Sequence, residues 1–194
     1  MPSPRLVPMR PASLPERSDD ELMVLAQAGV RDAFATLVER HGERLMRTCS
    51  RFVNDSELGA EIAQDTWVTV WSQRSRYRAE GKFIVWLITA ARNRCRNDLR
   101  RHRAQIEHTQ PAAGDADAPS PQQIDELLLE ERQRCVRKAL SRLPQRMREA
   151  LLLRYGEELR YDEMAQILGI GESTLRSRVH HGLRLLRDQL EKKP

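Results

Sequence analysis

Two short stretches of the chain carry arginine at a density that suits contact with nucleic acid. Six arginines and one aspartate lie between Arg92 and Arg103, and four arginines and no acid lie between Ser173 and Arg187. The planar guanidinium group matches phosphate oxygens and the edge of guanine better than an ammonium group does. The clustering therefore favours phosphate and base contacts. A bias of genomic base composition toward arginine remains an equally good explanation for the scarcity of lysine.

The second arginine cluster lies in a helix-turn-helix pattern that covers Tyr161 to Leu190. A short helix stops at Gly169, and a second helix starts at Glu172 and buries a stripe of Leu175, Val179, Leu183, Leu186 and Leu190. The opposite face carries Ser173, Arg176, Ser177, His180, Arg184 and Arg187. This face fits a DNA major groove, and its lack of acids disfavours the alternative, an ordinary hairpin with a solvated face. His180 and His181 diverge by about 100° on a helix, so we expect no metal site there.

The first arginine cluster continues a helix that starts at Phe83. One stripe is formed by Arg92, Arg96, Arg100 and Arg103, and Asn93 lies beside it. Arginine supplies attraction to phosphate that does not depend on sequence, and asparagine can bond the edge of an unpaired base. The preceding loop contains Tyr77, Arg78 and Lys82, which suits it to stack and hold an extruded base. A merely solvated loop is an equally good interpretation.

The segment Ser56 to Trp71 predicts a helix with a core stripe and a second, acidic face. The face is formed by Glu57, Glu61, Gln64, Asp65 and Val68. It is either simply solvated or a docking surface for a basic partner. Trp67, Trp71 and Trp86 are expected to be ordinary core residues.

Helical periodicity extends over the whole patterned part of the chain, and alternating β-type segments are absent, so we predict an all-α fold of two helical domains. The predicted boundaries are a disordered arm over 1–17, a first domain over 18–103, a flexible linker over 104–119 and a second domain over 120–194. Each predicted domain has 15 basic and 12 acidic residues, whereas the linker has three acids and no Lys or Arg. Helix boundaries are expected at Ser18, which starts a capping box, at Asn54–Asp55 and at Leu143–Pro144.

Composition excludes several classes of protein. The chain has 194 residues, a net charge of +5 and three widely separated cysteines, which argues against a disulfide or zinc scaffold. It has no apolar run of membrane-spanning length and no signal-peptide core, so we expect a cytoplasmic protein without direct membrane insertion. No Ser/His/Asp set, glycine-rich phosphate loop or metal cluster is present. We therefore expect no catalytic residues, no cofactor and no enzymatic activity.

Several motifs together resemble the extracytoplasmic-function (ECF) sigma factors, a two-domain class of bacterial RNA polymerase subunits within the sigma-70 family. The resemblance covers about Asp19 to Leu190. It is carried by Glu61-Ile-Ala-Gln-Asp65, by Gly81-Lys-Phe-Ile-Val-Trp-Leu87 with Ala91-Arg-Asn93, and by Ala139-Leu-Ser-Arg-Leu-Pro144 through Arg154, followed by Tyr161-Asp-Glu-Met-Ala165 and Leu168-Gly-Ile170.

The resemblance implies partners and a role for each surface. The partners are core RNA polymerase, through its β′ clamp helices and β flap, promoter DNA, and an anti-sigma factor that restrains the protein until a stress or environmental signal. Core polymerase would be bound by Glu61, Gln64, Asp65 and Val68. The promoter −10 element would be bound by Tyr77, Arg78, Lys82, Arg92, Asn93, Arg96 and Arg100. The −35 element would be bound by Ser173, Arg176, Ser177, His180, His181 and Arg184.

An alternative class is a helix-turn-helix regulator that binds duplex DNA and never contacts polymerase. It explains Tyr161 to Leu190 but leaves the helix after Phe83 and the acidic face without a role. The two classes differ in whether the purified chain directs core polymerase to start transcripts.

Overall fold

The computed structural model describes residues 13–106 and 124–191. The regular secondary structure in these ranges is entirely helical, which confirms the predicted all-α class. The helices are α1 (Asp19–Gln27), α2 (Arg31–Val53), α3 (Ser56–Ser72), α4 (Phe83–Ile106), α5 (Ile124–Ser141), α6 (Gln145–Leu151), α7 (Tyr161–Leu168) and α8 (Glu172–Glu191). A 3-10 turn, Arg74–Arg76, precedes α4, and a π-helical turn, Leu152–Gly156, follows α6. No helix in the described ranges is long and apolar enough to cross a lipid bilayer.

The helix ends follow the local sequence signals. The hydroxyl oxygen of Ser18 accepts from the backbone N–H of Glu21 at 3.3 Å, and the Glu21 carboxylate accepts from the Ser18 N–H at 2.8 Å, which confirms the capping box. Asn54 ends α2 in the left-handed region with φ 59°, and Gly169 ends α7 with φ 67°. The stop at Gly169 therefore sets the start of the turn that leads into α8.

Helices α1 to α4 form a first helical group around α2, which contacts the other three. A Cβ added at Gly59 on α3 would lie 2.4 Å from the Cα of Ser50 on α2, so glycine is what permits this close approach. Trp67 and Trp86 pack against the apolar core, which confirms their predicted core role. Helices α2 and α3 thus hold α4 in place within this group.

Helices α5 to α8 form a second helical group in which α8 contacts α5, α6 and α7. Met164 and Ile167 of α7 and Leu175 and Val179 of α8 are buried, as the helix-turn-helix pattern predicts. Gly182 of α8 is also buried, and a Cβ there would lie 3.1 Å from Leu151 of α6. Leu183 and Leu190, which the pattern also predicts to be buried, are 38% and 40% exposed, because the second group covers α8 mainly over its first half.

The two helical groups are in direct contact. Helix α7 packs on α4, and the π-helical turn packs on α2. Buried residues of both groups belong to one continuous apolar cluster. This contact decides which functional side chains are accessible in this conformation.

The predicted boundaries differ from the structure at two places. Residues 13–17, expected to be part of a disordered arm, contain a 3-10 turn at Leu14–Glu16, and Arg40 of α2 donates to the carbonyl oxygens of Pro15 and Arg17 at 3.2 and 3.1 Å. Helix α4 continues to Ile106, past the predicted start of the linker at 104. The remaining arm, the rest of the linker and the first residues of the predicted second domain lie outside the described residues.

Candidate nucleic-acid and polymerase interface

The polar face of α8 is open to solvent over its whole length. Its exposed residues include Ser173, Arg176, Ser177, His180, His181 and Arg184. The contacts they make are local: Arg176 donates to Glu172 one turn earlier at 3.1 Å, and Arg184 lies 2.8 Å from the His181 ring nitrogen. Exposed pairs of this kind are weak, so a DNA phosphate or base can replace them at little cost.

Arg176 is also held by stacking. Its guanidinium carbon lies 4.3 Å from the centre of the Tyr161 ring at the start of α7. A cation above an aromatic face is attracted to it and keeps its hydrogen-bond donors in one plane. The turn between α7 and α8 therefore presents this arginine in a preformed orientation.

The basic side of α4 is only partly open. Asn93 and Arg100 are exposed and Arg96 is half-buried, whereas Arg92 is engaged by the second helical group. The Nε of Arg92 donates to the Glu149 carboxylate of α6 at 3.0 Å, and Nη1 donates to the Ile167 carbonyl of α7 at 3.2 Å. In this conformation, Arg96 and Arg100 of the predicted stripe are therefore at least partly accessible to solvent, whereas Arg92 is already paired.

The loop before α4 is anchored to α1. The Gln27 amide donates to the carbonyl oxygens of Arg74 and Tyr77 at 2.8 and 2.9 Å, and the Gly81 N–H donates to the Asp20 carboxylate at 2.6 Å. Gly81 has φ 70°, a conformation that glycine adopts without strain. These bonds hold the loop ends, while Arg78 and Lys82 remain exposed.

The structure corrects the prediction for Tyr77. Its ring is only 6% exposed and lies against Phe83 and Trp86, with ring centres 5.9 and 5.2 Å away. Its hydroxyl donates to Asp20, and burial together with that carboxylate raises the pKa of Tyr77. The ring is an anchor for the loop and is not available to stack an extruded base, because the aromatic cluster at the start of α4 takes it into the core.

The predicted docking face on α3 is exposed. Glu61 and Gln64 face solvent, and Val68 is 67% exposed, the highest value among the large apolar side chains of the described residues. Asp65 lies beside them but pairs with Arg94 of α4. Together they form a surface with an apolar centre and a polar border, which is the usual composition of a protein interface.

Three residues that support the site were missed by the sequence analysis: Asp20, Arg94 and Glu149. Asp20 positions the loop, Arg94 ties Asp65 of α3 to α4, and Glu149 engages Arg92. In the sequence, Asp20 looks like an ordinary acid in the first turn of a helix. Arg94 looks like one more basic residue in a cluster. Since their partners are distant in sequence, no local signal identifies these roles.

Each helical group matches a known protein family model. The family model described as Sigma-70 region 2 matches residues 37–105, and the model Sigma-70, region 4 matches residues 133–186. The RNA polymerase sigma factor CarQ of Myxococcus xanthus is 32% identical over 167 residues, which are 84% of this chain and 91% of CarQ. The chain belongs to the sigma-70 family. The ECF RNA polymerase sigma factor SigK of Mycobacterium ulcerans, 31% identical and covering 91% of this chain and 97% of SigK, identifies the ECF class within that family.

Two solved structures share the fold. CnrH, solved in complex with the cytosolic domain of CnrY, matches with a TM-score of 0.69 and 23% identity, over 91% of this chain and 99% of that one. The sigma factor RpoE from Bartonella quintana, solved with the anti-sigma factor NepR, matches with a TM-score of 0.68 and 22% identity, over 85% and 100%. In this sigma factor, α1–α4 contain most of the region 2 match, and α5–α8 contain the region 4 match.

Proposed function

We propose that this chain is an alternative sigma factor that binds core RNA polymerase, recognises promoter −10 and −35 elements and starts transcription of a stress-responsive or environment-responsive regulon. The observation that carries the proposal is the combination, in one chain, of three separate exposed surfaces: the polar face of α8, the Asn93 side of α4 and the Val68 face of α3. A helix-turn-helix regulator needs only the first of these.

In this proposal α8 binds the −35 element as a duplex. Arg176 and Arg184 contact guanine edges or phosphates, and Ser173, Ser177, His180 and His181 contact bases or phosphates beside them. Because these side chains are already exposed, α8 binds without a change in its own group. The backbone contacts set the register, and the contacts to base edges set the sequence preference.

Helix α4 and its preceding loop then hold the opened −10 strand. Asn93 bonds the edge of an unpaired base, while Arg78, Lys82, Arg96 and Arg100 contact phosphates. Unpairing each base step costs on the order of a few kcal/mol, and these contacts offset that cost. The chain forms no phosphodiester bond, so its role is to bind and orient DNA for the polymerase.

Core polymerase is bound through α3 of the first group and through the second group. Glu61, Gln64, Asp65 and Val68 form the surface for the β′ clamp helices, and the second group contacts the β flap. Val68 supports this assignment because it is the most exposed large apolar side chain in the described residues, and burying it against a partner would remove that area from water. The bond between Arg94 and Asp65 fixes this surface relative to α4.

An anti-sigma factor is the proposed inhibitory partner, as NepR is for the sigma factor RpoE. A groove of about 980 Å³ between α2 and the second group offers a surface for it. Met46, Val136, Tyr155 and Leu183 provide exposed apolar area, and Arg47, Arg51 and Arg137 line the same groove. Its composition suits an amphipathic helix that carries acidic residues.

Run-off transcription with purified core polymerase tests the proposal. The expected result is specific transcripts from genomic fragments only when the chain is added, with start sites that define shared −10 and −35 sequences. Tight binding to duplex DNA without core, and no transcripts with core, would instead support the helix-turn-helix regulator.

A further inference from the structure

Among the Asp, Glu, Lys and Arg residues described with their side chains, two are buried, and both are glutamates of the second helical group. Glu149 of α6 is 8% exposed and Glu157, just after the π-helical turn, is 5% exposed. Each meets an arginine of the first group. Burying a carboxylate costs free energy unless it is paired, so these two positions mark a specific contact between the groups.

Glu149 is satisfied on both oxygens. Arg92 of α4 donates to Oε2 at 3.0 Å, and Gln145, one turn earlier on α6, donates to Oε1 at 2.9 Å. Arg92 also donates to the Ile167 carbonyl at 3.2 Å, one of the last carbonyls of α7. The guanidinium group therefore has a carboxylate and a helix C-terminus as partners, both of which attract a cation.

Glu157 makes a second contact of the same kind on α2. Arg44 donates from Nε to the carboxylate at 2.7 Å and from Nη2 to the backbone carbonyl of Glu157 at 2.8 Å. The hydroxyl of Thr48 donates to the other carboxylate oxygen. The two pairs lie on different helices of the first group, so together they fix both the position and the orientation of the second.

Ion pairs of this kind specify a contact more than they strengthen it. The attraction between the charges is largely offset by the water that both lose, and both regain that water when the groups separate. The closed state, in which Arg92 pairs with Glu149 and Arg44 with Glu157, is therefore well defined but can be released by a competing ligand of Arg92.

We propose that Glu149 takes the place of a nucleic-acid phosphate on Arg92, so that the closed chain occupies part of its own −10 surface. Carboxylate and phosphate both offer two oxygens to the guanidinium fork, which makes them interchangeable partners. Opening exchanges Glu149 for phosphate and releases α7, the first helix of the helix-turn-helix, from α4. The closed state is inferred from the two ion pairs, Arg92–Glu149 and Arg44–Glu157. Its competition with the −10 strand rests on the proposed function.

The test uses the full chain with Glu149→Gln and Glu157→Gln combined, which preserves side-chain shape and removes both buried charges. The matched control combines Glu43→Gln and Glu158→Gln, which remove the same charge from exposed positions. Small-angle X-ray scattering measures the radius of gyration, and hydrogen exchange measures protection of α4 and α7. The amides of α7 at the contact should exchange about tenfold faster in the buried-pair variant, which corresponds to about 1.4 kcal/mol.

The expected scattering result is a compact wild-type chain, an unchanged control and an expanded buried-pair variant. A radius of gyration typical of an extended chain in the wild type would by itself overturn the closed state. Equal radii of gyration and equal amide exchange in all three proteins would also overturn it. If the double variant fails to fold by circular dichroism, Glu157→Gln alone against Glu158→Gln provides the same comparison at one pair.

Binding of a fluorescent oligothymidylate tests the phosphate exchange. Glu149→Gln should bind it several-fold more tightly than Glu43→Gln, which has the same net charge. Equal affinities would overturn the exchange even if the chain opens. Failure of the wild-type chain to direct run-off transcription would overturn the proposed function, and the scattering result would remain valid.

Discussion

Helices α4 and α8 carry similar clusters of arginine, yet they hold them in different surroundings. On α8, Arg176 and Arg184 face solvent and contact only residues of their own helix-turn-helix. On α4, Arg92 pairs with Glu149 of α6, and Arg94 pairs with Asp65 of α3. The difference arises because α8 packs on one side only, whereas α4 lies between α3 and α7.

A run of arginines does not by itself define a free binding surface. The α8 surface is preformed and suits a duplex, which needs no rearrangement before it is bound. In the proposed function, the α4 surface is complete only after the second helical group has moved away from Arg92. That order fits a protein that first recognises closed DNA and then captures an opened strand.

The largest effect is expected from combined Arg176→Ala and Arg184→Ala on α8. Each lost contact to a base or phosphate costs about 1–3 kcal/mol, so affinity of the polymerase complex for a −35 duplex should fall about a hundredfold. Fluorescence anisotropy with a labelled duplex measures it. Combined Arg31→Ala and Arg134→Ala, at exposed positions outside the three surfaces, should leave specific binding within a few-fold of wild type. A similar loss in both proteins would contradict the preformed α8 surface.

A smaller effect, about tenfold, is expected from Asn93→Ala on α4, because one hydrogen-bonded base contact is lost. Promoter opening, measured by permanganate reactivity of unpaired thymines, should fall more than the affinity for core polymerase. Asn97→Ala, an exposed asparagine one turn later, is the matched control and should open promoters normally. Equal losses of opening and of core binding would remove Asn93 from the opened-strand surface.

The affinity for core polymerase should fall several-fold when Val68→Ala and Gln64→Ala are combined on the α3 surface, because the first removes exposed apolar area and the second removes a side-chain amide. Burying the lost methyl groups is worth about 0.8 kcal/mol per carbon, and the amide adds a hydrogen bond. Surface plasmon resonance with immobilised core measures the change. Val24→Ala, at an exposed valine of α1, is the control. Unchanged affinity of the α3 variant would show that core binds elsewhere.

The smallest effect is expected from Asp20→Ala, which releases the loop before α4 without touching DNA. Two hydrogen bonds are lost, from the Gly81 N–H and the Tyr77 hydroxyl, each worth about 1 kcal/mol. Promoter opening should fall about two- to fivefold and −35 binding should not change. Asp32→Ala, an exposed first-turn acid of α2, is the control. A loss of −35 binding would show that the loop and α8 are not independent.

Features determined within one helix could be predicted from the sequence. The cap at Ser18, the stop at Gly169 and the burial of Leu175 and Val179 in α8 all depend on residues within a few positions of one another. Features that depend on distant partners could not: Tyr77 is fixed by Asp20, and Arg92 by Glu149, each pair separated by 57 residues. Residue type indicated an aromatic and an arginine near α4, but only the packed structure shows that both are already engaged.

The most direct test of the difference between α4 and α8 is transcription by the reconstituted polymerase on two forms of one mapped promoter, one fully paired and one with an unpaired −10 region. On the unpaired template Asn93→Ala should recover most of its activity, because opening is already done. The combined Arg176→Ala and Arg184→Ala variant should remain equally impaired on both templates. The same defect of Asn93→Ala on both templates, or recovery of the α8 variant on the unpaired template, would contradict the proposed roles of α4 and α8.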